Sequence, residues 1–231
     1  MDIVIENLRE PLAHLVALPA SVPALVGQMN LLAIGGGLLG LAVFVPLCLG
    51  VWKREITQSI ATFALWGVLD GINASSTYAA EGNYLLPAFY ALGSVAVVAC
   101  IMLRNRSIVW TFVETFCTLM VVICIMTWLN WGNQQLVTLP FSTEQMVIIL
   151  STVALVIAGL PQLVKDIKIP QESAPWSYLA FTAANALSTA AGSSWSIEER
   201  LYGASCTVLT LLIFIAGTRK WPNQAQAAPA N

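Results

Sequence analysis

The stretch GLPQLVKDIKIPQE, residues Gly159–Glu172, decides how this sequence is interpreted. A long apolar run that contains Pro161 and Gln162 ends in this stretch, and residues of alternating charge follow it. The stretch VPLCLGVWKREITQ, residues Val45–Gln58, has the same plan, because Pro46 precedes a charged loop by one to two helical turns. Two stretches with one plan predict an internal repeat.

The composition predicts a membrane protein. The 231 residues are 58% hydrophobic and only 10% charged, with a mean hydropathy of +0.77. A soluble domain carries about 25% charged residues, so a fold this poor in charge is expected to use lipid as its main solvent. The five cysteines form no C-x-x-C pair, and no basic cluster indicates a nucleic-acid partner. No cofactor and no metal ion is predicted.

Seven segments are apolar enough to cross a bilayer, which takes about 20 residues per helix. They are residues 25–51, 58–79, 84–103, 108–131, 144–164, 175–195 and 200–218. We therefore expect an all-α protein with seven transmembrane helices. The second and sixth are rich in small and polar residues, which is typical of helices that face protein or a watery cavity.

Two flanking segments are expected to lie outside the helices. Residues 1–24, which contain His14, lack the basic start of a signal peptide and are predicted to lie in the membrane interface. Residues 222–231 are too polar to pack and are predicted to be disordered.

The basic residues predict the orientation, since Lys and Arg stay in short cytoplasmic loops. Eight of the ten basic residues follow the odd-numbered spans: Lys53, Arg54, Arg104, Arg106, Lys165, Lys168, Arg219 and Lys220. The N-terminus is therefore expected outside and the C-terminus in the cytoplasm, in a membrane that the sequence does not identify.

Aligning Pro46 with Pro161 extends the repeat beyond the two stretches. The alignment pairs Asp70 with Asn185, and Tyr90 with Tyr202 once three loop residues are removed. Residues 25–107 and 144–221 are thus predicted to be two copies of a three-helix bundle, joined by a linker helix and loop at 108–143. One linker helix leaves both copies facing the same way, as in parallel repeats about an axis along the membrane normal.

The two prolines are predicted to be hinges, because a proline inside a helix removes one backbone hydrogen bond. Pro46, Pro161 and Gln162 would then form a gate near the cytoplasmic face. Gln162 is expected either to bond a carbonyl that the proline releases or to be solvated at the cytoplasmic mouth.

This 3+1+3 arrangement, with Pro161-Gln162 before the loop of the second repeat, resembles the PQ-loop superfamily. That superfamily includes the SWEET (MtN3/saliva) sugar transporters and lysosomal exporters of cystine and cationic amino acids. The resemblance implies alternating-access transport of a small polar solute, a sugar or an amino acid, either passive or proton-coupled, with Asp70 as the residue for coupling. Two departures count against a sugar: Pro46 is followed by Leu47 instead of Gln, and the third and seventh spans lack the pore-facing Asn of SWEET repeats. A receptor or sorting protein on the same fold, as in the KDEL receptor, is the alternative.

Asp70 is the sharpest functional signal, since a carboxyl group in mid-span costs a few kcal/mol unless it faces the bundle interior. Asn73 and Thr77 follow on the same helical face, and the second copy presents a matching polar face. Aromatic residues near this level are candidates for stacking on a solute. The predicted substrate-binding residues are Trp66, Asp70, Asn73, Thr77, Tyr90, Ser94, Tyr178, Thr182, Asn185, Ser188, Tyr202 and Ser205.

Asp70 has two open interpretations. No Lys or Arg lies within a span to neutralise it, so burial favours the neutral acid. This makes Asp70 a candidate proton carrier or a partner for a cationic solute. Alternatively, a protonated Asp70 holds two helices together through a hydrogen bond, with Asn185 as the candidate acceptor or donor.

Other charged residues are expected to be structural. Glu114 is predicted to be interfacial or paired with Arg106, whereas Lys165, Asp166 and Lys168 are predicted to form a solvated loop. The spans hold no His and no paired carboxylates, so an enzyme is not expected. The expected partners are a small polar solute, protons and the lipid bilayer, and a homo-oligomer is left open.

Overall fold

The computed structural model describes residues 31–56, 58–104, 112–131, 141–170 and 173–219. Within these ranges the chain forms seven helices, which confirms the all-helical prediction. They are α1 (Leu31–Lys53), α2 (Ile60–Ala79), α3 (Leu85–Arg104), α4 (Phe112–Trp131), α5 (Thr143–Lys168), α6 (Pro175–Ala191) and α7 (Ile197–Thr218). Four of them, α1, α3, α5 and α7, are long and apolar enough to cross a membrane.

Three predictions fall outside the described residues. They concern the interfacial segment with His14, the tail at 222–231 and the position of Arg106.

α5 differs most from its predicted span. It begins with a capping box in which Ser142 and Gln145 satisfy each other's backbone N–H groups. It then continues through Pro161 to Lys168, so Asp166 belongs to the helix instead of a loop. The predicted solvated loop is wrong for Asp166, whose side chain is 1% exposed.

The turn between α6 and α7 explains why α6 ends earlier, and α7 begins earlier, than the sequence predicted. α7 begins at Ile197. The negative charges of Glu198 and Glu199 in its first turn stabilise this start, because they lie near the positive end of the helix dipole. Arg200 donates hydrogen bonds to the carbonyl groups of Thr189 and Gly192, which satisfies the last turn of α6.

Six helices pack into a ring, and the seventh lies outside it. α3 packs against both α1 and α2, and α7 packs against both α5 and α6. The ring closes where α1 meets α6 and where α2 meets α5, so its order is α1, α3, α2, α5, α7, α6. α4 packs mainly on α5 and also touches α2. Below, α1–α3 are called the first unit and α5–α7 the second unit.

Contacts at the two seams between the units fix the helix directions. At the first seam Gly36 of α1 lies against Ser188 of α6, and the Phe44 ring contacts the Phe181 ring edge to face, so these helices run in opposite directions.

At the second seam, a backbone–side-chain bond joins Ser59, at the start of α2, to Gln162 of α5. Further along, Trp66 bonds Leu155, so α2 and α5 also run in opposite directions.

Within each unit, the middle helix of the ring runs parallel to one neighbour. Arg104, at the end of α3, bonds the carbonyl group of Trp52, near the end of α1. Gln145 and Glu198, at the starts of α5 and α7, are hydrogen-bonded at 3.3 Å. α6 runs opposite to α7, since Thr182 lies against Thr210 and Thr189 against Arg200. As α6 also runs opposite to α1, the helices α1, α3, α5 and α7 share one direction.

This shared direction gives the ring two ends of different charge. The end where α1, α3, α5 and α7 finish is called the basic end, and it carries Lys53, Arg54, Arg104, Lys165, Lys168 and Arg219. The opposite end is called the acidic end, and it carries Glu81, Glu144, Glu198 and Glu199, together with Arg200.

Candidate functional site

A small cavity lies between the two units at mid-height of the ring. Its volume is about 20 Å³, which is room for a water molecule but not for a sugar. It is lined by Phe44, Trp66, Asp70, Tyr90, Ser94, Leu155, Phe181, Tyr202, Cys206, Leu209 and Thr210.

Asp70 is the single acidic group that lines this cavity, and no lining residue is basic. It is 2% exposed, and its Oδ1 accepts a hydrogen bond of 2.7 Å from the hydroxyl group of Tyr202. Because Asp70 lies on α2 and Tyr202 on α7, this bond joins the two units across the ring. The partner of Asp70 is thus Tyr202 and not Asn185.

Aromatic side chains form much of the cavity wall. The ring of Phe44 lies 5.7 Å from that of Tyr90 and 4.9 Å from that of Phe181, both in edge-to-face geometry. Trp66 completes the wall, and its indole N–H donates to the carbonyl oxygen of Leu155 at 3.0 Å. Edge-to-face contacts and a bonded indole hold these rings in fixed positions.

Several buried polar groups around the cavity make no hydrogen bond within the described part of the chain. They include the hydroxyl groups of Tyr90 and Ser94 and both polar side-chain atoms of Asn185. The Tyr90 hydroxyl faces the Asn185 side chain without good hydrogen-bond geometry. An unpaired buried polar group costs about 1–3 kcal/mol, so these groups leave unused hydrogen-bonding capacity beside the cavity.

The predicted polar ring is only partly assembled around the cavity. Of the twelve predicted residues, Trp66, Asp70, Tyr90, Ser94 and Tyr202 line it. Thr182 lies behind the wall, where its hydroxyl group is 3.0 Å from that of the lining residue Thr210.

Three predicted residues lie between the cavity and the acidic end. Asn73 and Thr77 are buried on α2 with side chains that lack a partner among the described residues. Ser188 accepts two hydrogen bonds from Asn83, one on its carbonyl group and one on its hydroxyl group. Ser188 therefore helps to close the acidic end.

Two predicted residues lie elsewhere. Tyr178 is fully buried near the basic end, where its hydroxyl group donates to Gln58 at 2.8 Å. Ser205 is half-buried on α7 and does not line the cavity.

A connected set of hydrogen bonds, called here the basic-end network, joins α2 to α5. Gln162 accepts from the backbone N–H of Ser59 at 2.9 Å and donates to Asp166 at 2.8 Å. Ser173 donates to the other carboxyl oxygen of Asp166 at 2.8 Å. Gln162 thus bonds a backbone N–H and a carboxyl group, which neither of its two predicted environments included.

Glu114 extends this network to α4. It is 7% exposed, and it accepts a hydrogen bond of 3.0 Å from the hydroxyl group of Ser59. Glu114 is therefore buried against α2, whereas its predicted partner Arg106 lies outside the described residues.

Six lining residues were absent from the predicted set: Phe44, Leu155, Phe181, Cys206, Leu209 and Thr210. Helical spacing could have identified three of them, since Cys206, Leu209 and Thr210 lie on the same face of α7 as Tyr202. Phe44 and Leu155 carry no such signal, because apolar residues surround both in the sequence.

The described residues contain no group of three or more His, Cys, Asp or Glu side chains that could hold a metal ion. In comparisons with known proteins, the chain matches no family model, no curated protein and no solved structure.

Proposed function

We propose that this protein is a seven-span membrane transporter that moves a small polar solute by alternating access between the first and second units. The observation that carries the proposal is the Asp70–Tyr202 hydrogen bond, which places a buried acid where the two units meet. A lone acid inside apolar helices costs several kcal/mol and marks a solute or proton pathway by default.

The packing supports two parallel repeats. The contact order α1, α3, α2 in the first unit recurs as α5, α7, α6 in the second, and the two seams are equivalent to each other, since one pairs α1 with α6 and the other pairs α5 with α2. The equivalent helices also run in the same direction. This is possible because α4 crosses the membrane once between the end of α3 and the start of α5. This is the geometry expected of repeats related by an axis along the membrane normal, and it agrees with the resemblance to the PQ-loop superfamily.

The charges support an orientation with the basic end in the cytoplasm. Lys and Arg are retained on the cytoplasmic side of short loops, and the basic residues at the ends of α1, α3, α5 and α7 share one end. The N-terminus then lies outside and the C-terminus in the cytoplasm.

Closure of both ends around the central cavity supports alternating access. The basic-end network bonds α2 to α5 on one side, and Asn83 bonds Ser188 on the other. Solute exchange requires one set of these bonds to open at a time. Pro46 and Pro161 lie inside α1 and α5 and are the proposed hinges for the basic end.

The proposal is tested by uptake of radiolabelled sugars, amino acids and small organic cations into proteoliposomes of the full-length protein, with and without a proton gradient. We expect saturable uptake of at least one solute and its loss in Asp70→Asn. Absence of flux for every solute, together with saturable binding to the purified protein, would replace transport with the receptor or sorting function.

A further inference from the structure

We propose that the solute is a small organic cation, an amine or quaternary ammonium ion without a carboxylate, which binds Asp70 in exchange for a proton. The inference rests on the proposed transport function and names its substrate class. It follows from three features of the central cavity: its single acidic group, its aromatic wall and the carboxyl oxygen of Asp70 that accepts no hydrogen bond from the described residues.

The charge of the cavity selects for a cation. Its lining contains one carboxyl group and no Lys, Arg or His. An amino acid would place its own carboxylate in this wall without a basic partner, and burial of an unpaired charge is strongly unfavourable. A sugar would need many hydrogen-bonding groups, whereas most lining side chains are apolar or aromatic.

The aromatic wall suits the same class of ligand. Phe44, Tyr90, Phe181, Trp66 and Tyr202 all line the cavity around Asp70. Aromatic rings attract cations through their quadrupoles, and sets of such rings recognise quaternary ammonium groups. A carboxyl group beside them adds an ion pair that neutral solutes cannot form.

Asp70 has one carboxyl oxygen available for this contact. In the described part of the chain it accepts a single hydrogen bond, from Tyr202 to Oδ1. Oδ2 is left to hold either a proton or the cation. Binding of a cation therefore releases the proton, and the exchange is one for one and electroneutral.

The size of the cavity predicts a small head group. A volume of about 20 Å³ accepts a water-sized group as it stands. Tetramethylammonium is already larger than a water molecule, so the units must separate slightly to admit it, and larger substituents need a wider separation. Affinity should therefore fall from tetramethylammonium to tetrabutylammonium.

The experiment uses proteoliposomes of the full-length protein with a pH-sensitive dye inside and tetramethylammonium added outside. This ion has no neutral free base that could leak through lipid, so a pH change reports exchange. We expect a saturable rise in internal pH as the cation enters and the proton leaves. Asp70→Asn should abolish it, although an asparagine still accepts the Tyr202 hydrogen bond.

Two further variants make the test specific. Phe181→Leu removes one ring and should weaken the apparent affinity for tetramethylammonium about 3- to 30-fold, the range of a cation–π contact. Ser75→Ala is the matched control on α2, because among the described residues the Ser75 hydroxyl group bonds only within its own helix, to Gly71. It should leave the signal unchanged.

The outcomes separate this inference from the proposed function. Uptake of glucose or arginine without saturable binding of tetramethylammonium would overturn the cation site and leave transport standing. Saturable binding that Asp70→Asn abolishes, without any pH change, would keep the cation site and overturn exchange.

Discussion

The centre of the ring and its basic end both contain a buried acid, yet the two acids have opposite surroundings. Asp166 at the basic end accepts hydrogen bonds on both carboxyl oxygens, from Gln162 and Ser173. Asp70 at the centre accepts one, from Tyr202, and it lines a cavity. The same functional group is thus fully bonded in one place and partly bonded in the other.

The difference teaches how to separate structural from functional polar groups in an apolar protein. A satisfied network stabilises one arrangement of helices, so its loss should appear mainly in the free energy of unfolding. A partly satisfied group keeps capacity for a ligand, and its loss should appear mainly in activity. Four substitutions test this contrast, in order of decreasing effect on stability.

The largest effect is expected for Gln162→Leu. The change leaves the Ser59 N–H and one oxygen of Asp166 without a partner, so the free energy of unfolding should fall by about 2–4 kcal/mol. Thermal unfolding in detergent, followed with a thiol-reactive dye, would measure it through buried cysteines such as Cys206. An unchanged midpoint would mean that the basic-end network does not stabilise the ring.

Gly93→Ala tests the packing at the centre. The new methyl group would occupy the position of the Phe44 ring, so overpacking should cost about 1–3 kcal/mol and displace a cavity wall. Solute flux should fall together with stability. Gly71→Ala is the matched control, since a methyl group there meets no atom within 4 Å and should be neutral or stabilising.

Tyr202→Phe removes the hydrogen bond between the units and keeps the ring. We expect a loss of about 0.5–1.5 kcal/mol in unfolding free energy and a larger proportional loss of flux, because Oδ1 of Asp70 loses its fixed position. Unfolding and uptake measured on one preparation would compare the loss of unfolding free energy with the loss of flux. A stability loss above that of Gln162→Leu would reverse the assigned roles of the two regions.

Asn73→Leu should have the smallest effect on stability. It makes the same amide-to-leucine change as Gln162→Leu, but at a side chain that has no partner among the described residues. We expect a change of about 1 kcal/mol or less, since no bonded group is orphaned. Equal losses of unfolding free energy for the two variants would show that the number of hydrogen-bond partners does not distinguish the two sites.

Hydropathy predicted the helices because it depends on local composition. The mid-helix position of Asp70 could likewise be seen in the sequence. The partner of Asp70 could not, since the Tyr202 contact depends on the relative rotation of two helices far apart in the chain. Asp166 was misjudged for a related reason: charge alone predicts solvent, whereas Gln162 and Ser173 make its burial favourable.

The length of α5 has a mechanical consequence. This helix has 26 residues, so at 1.5 Å per residue it measures about 39 Å, and it bonds neighbours at both extremities. Gln145 ties its start to Glu198, and Gln162 ties its far part to Ser59. Since Glu198 belongs to α7 and Ser59 precedes α2, the two ring neighbours of α5, the helix is held from a different side at each end. A tilt of α5 about its middle that lengthens one of these bonds therefore lengthens the other as well, so the two bonds together oppose rocking of this helix as a rigid rod.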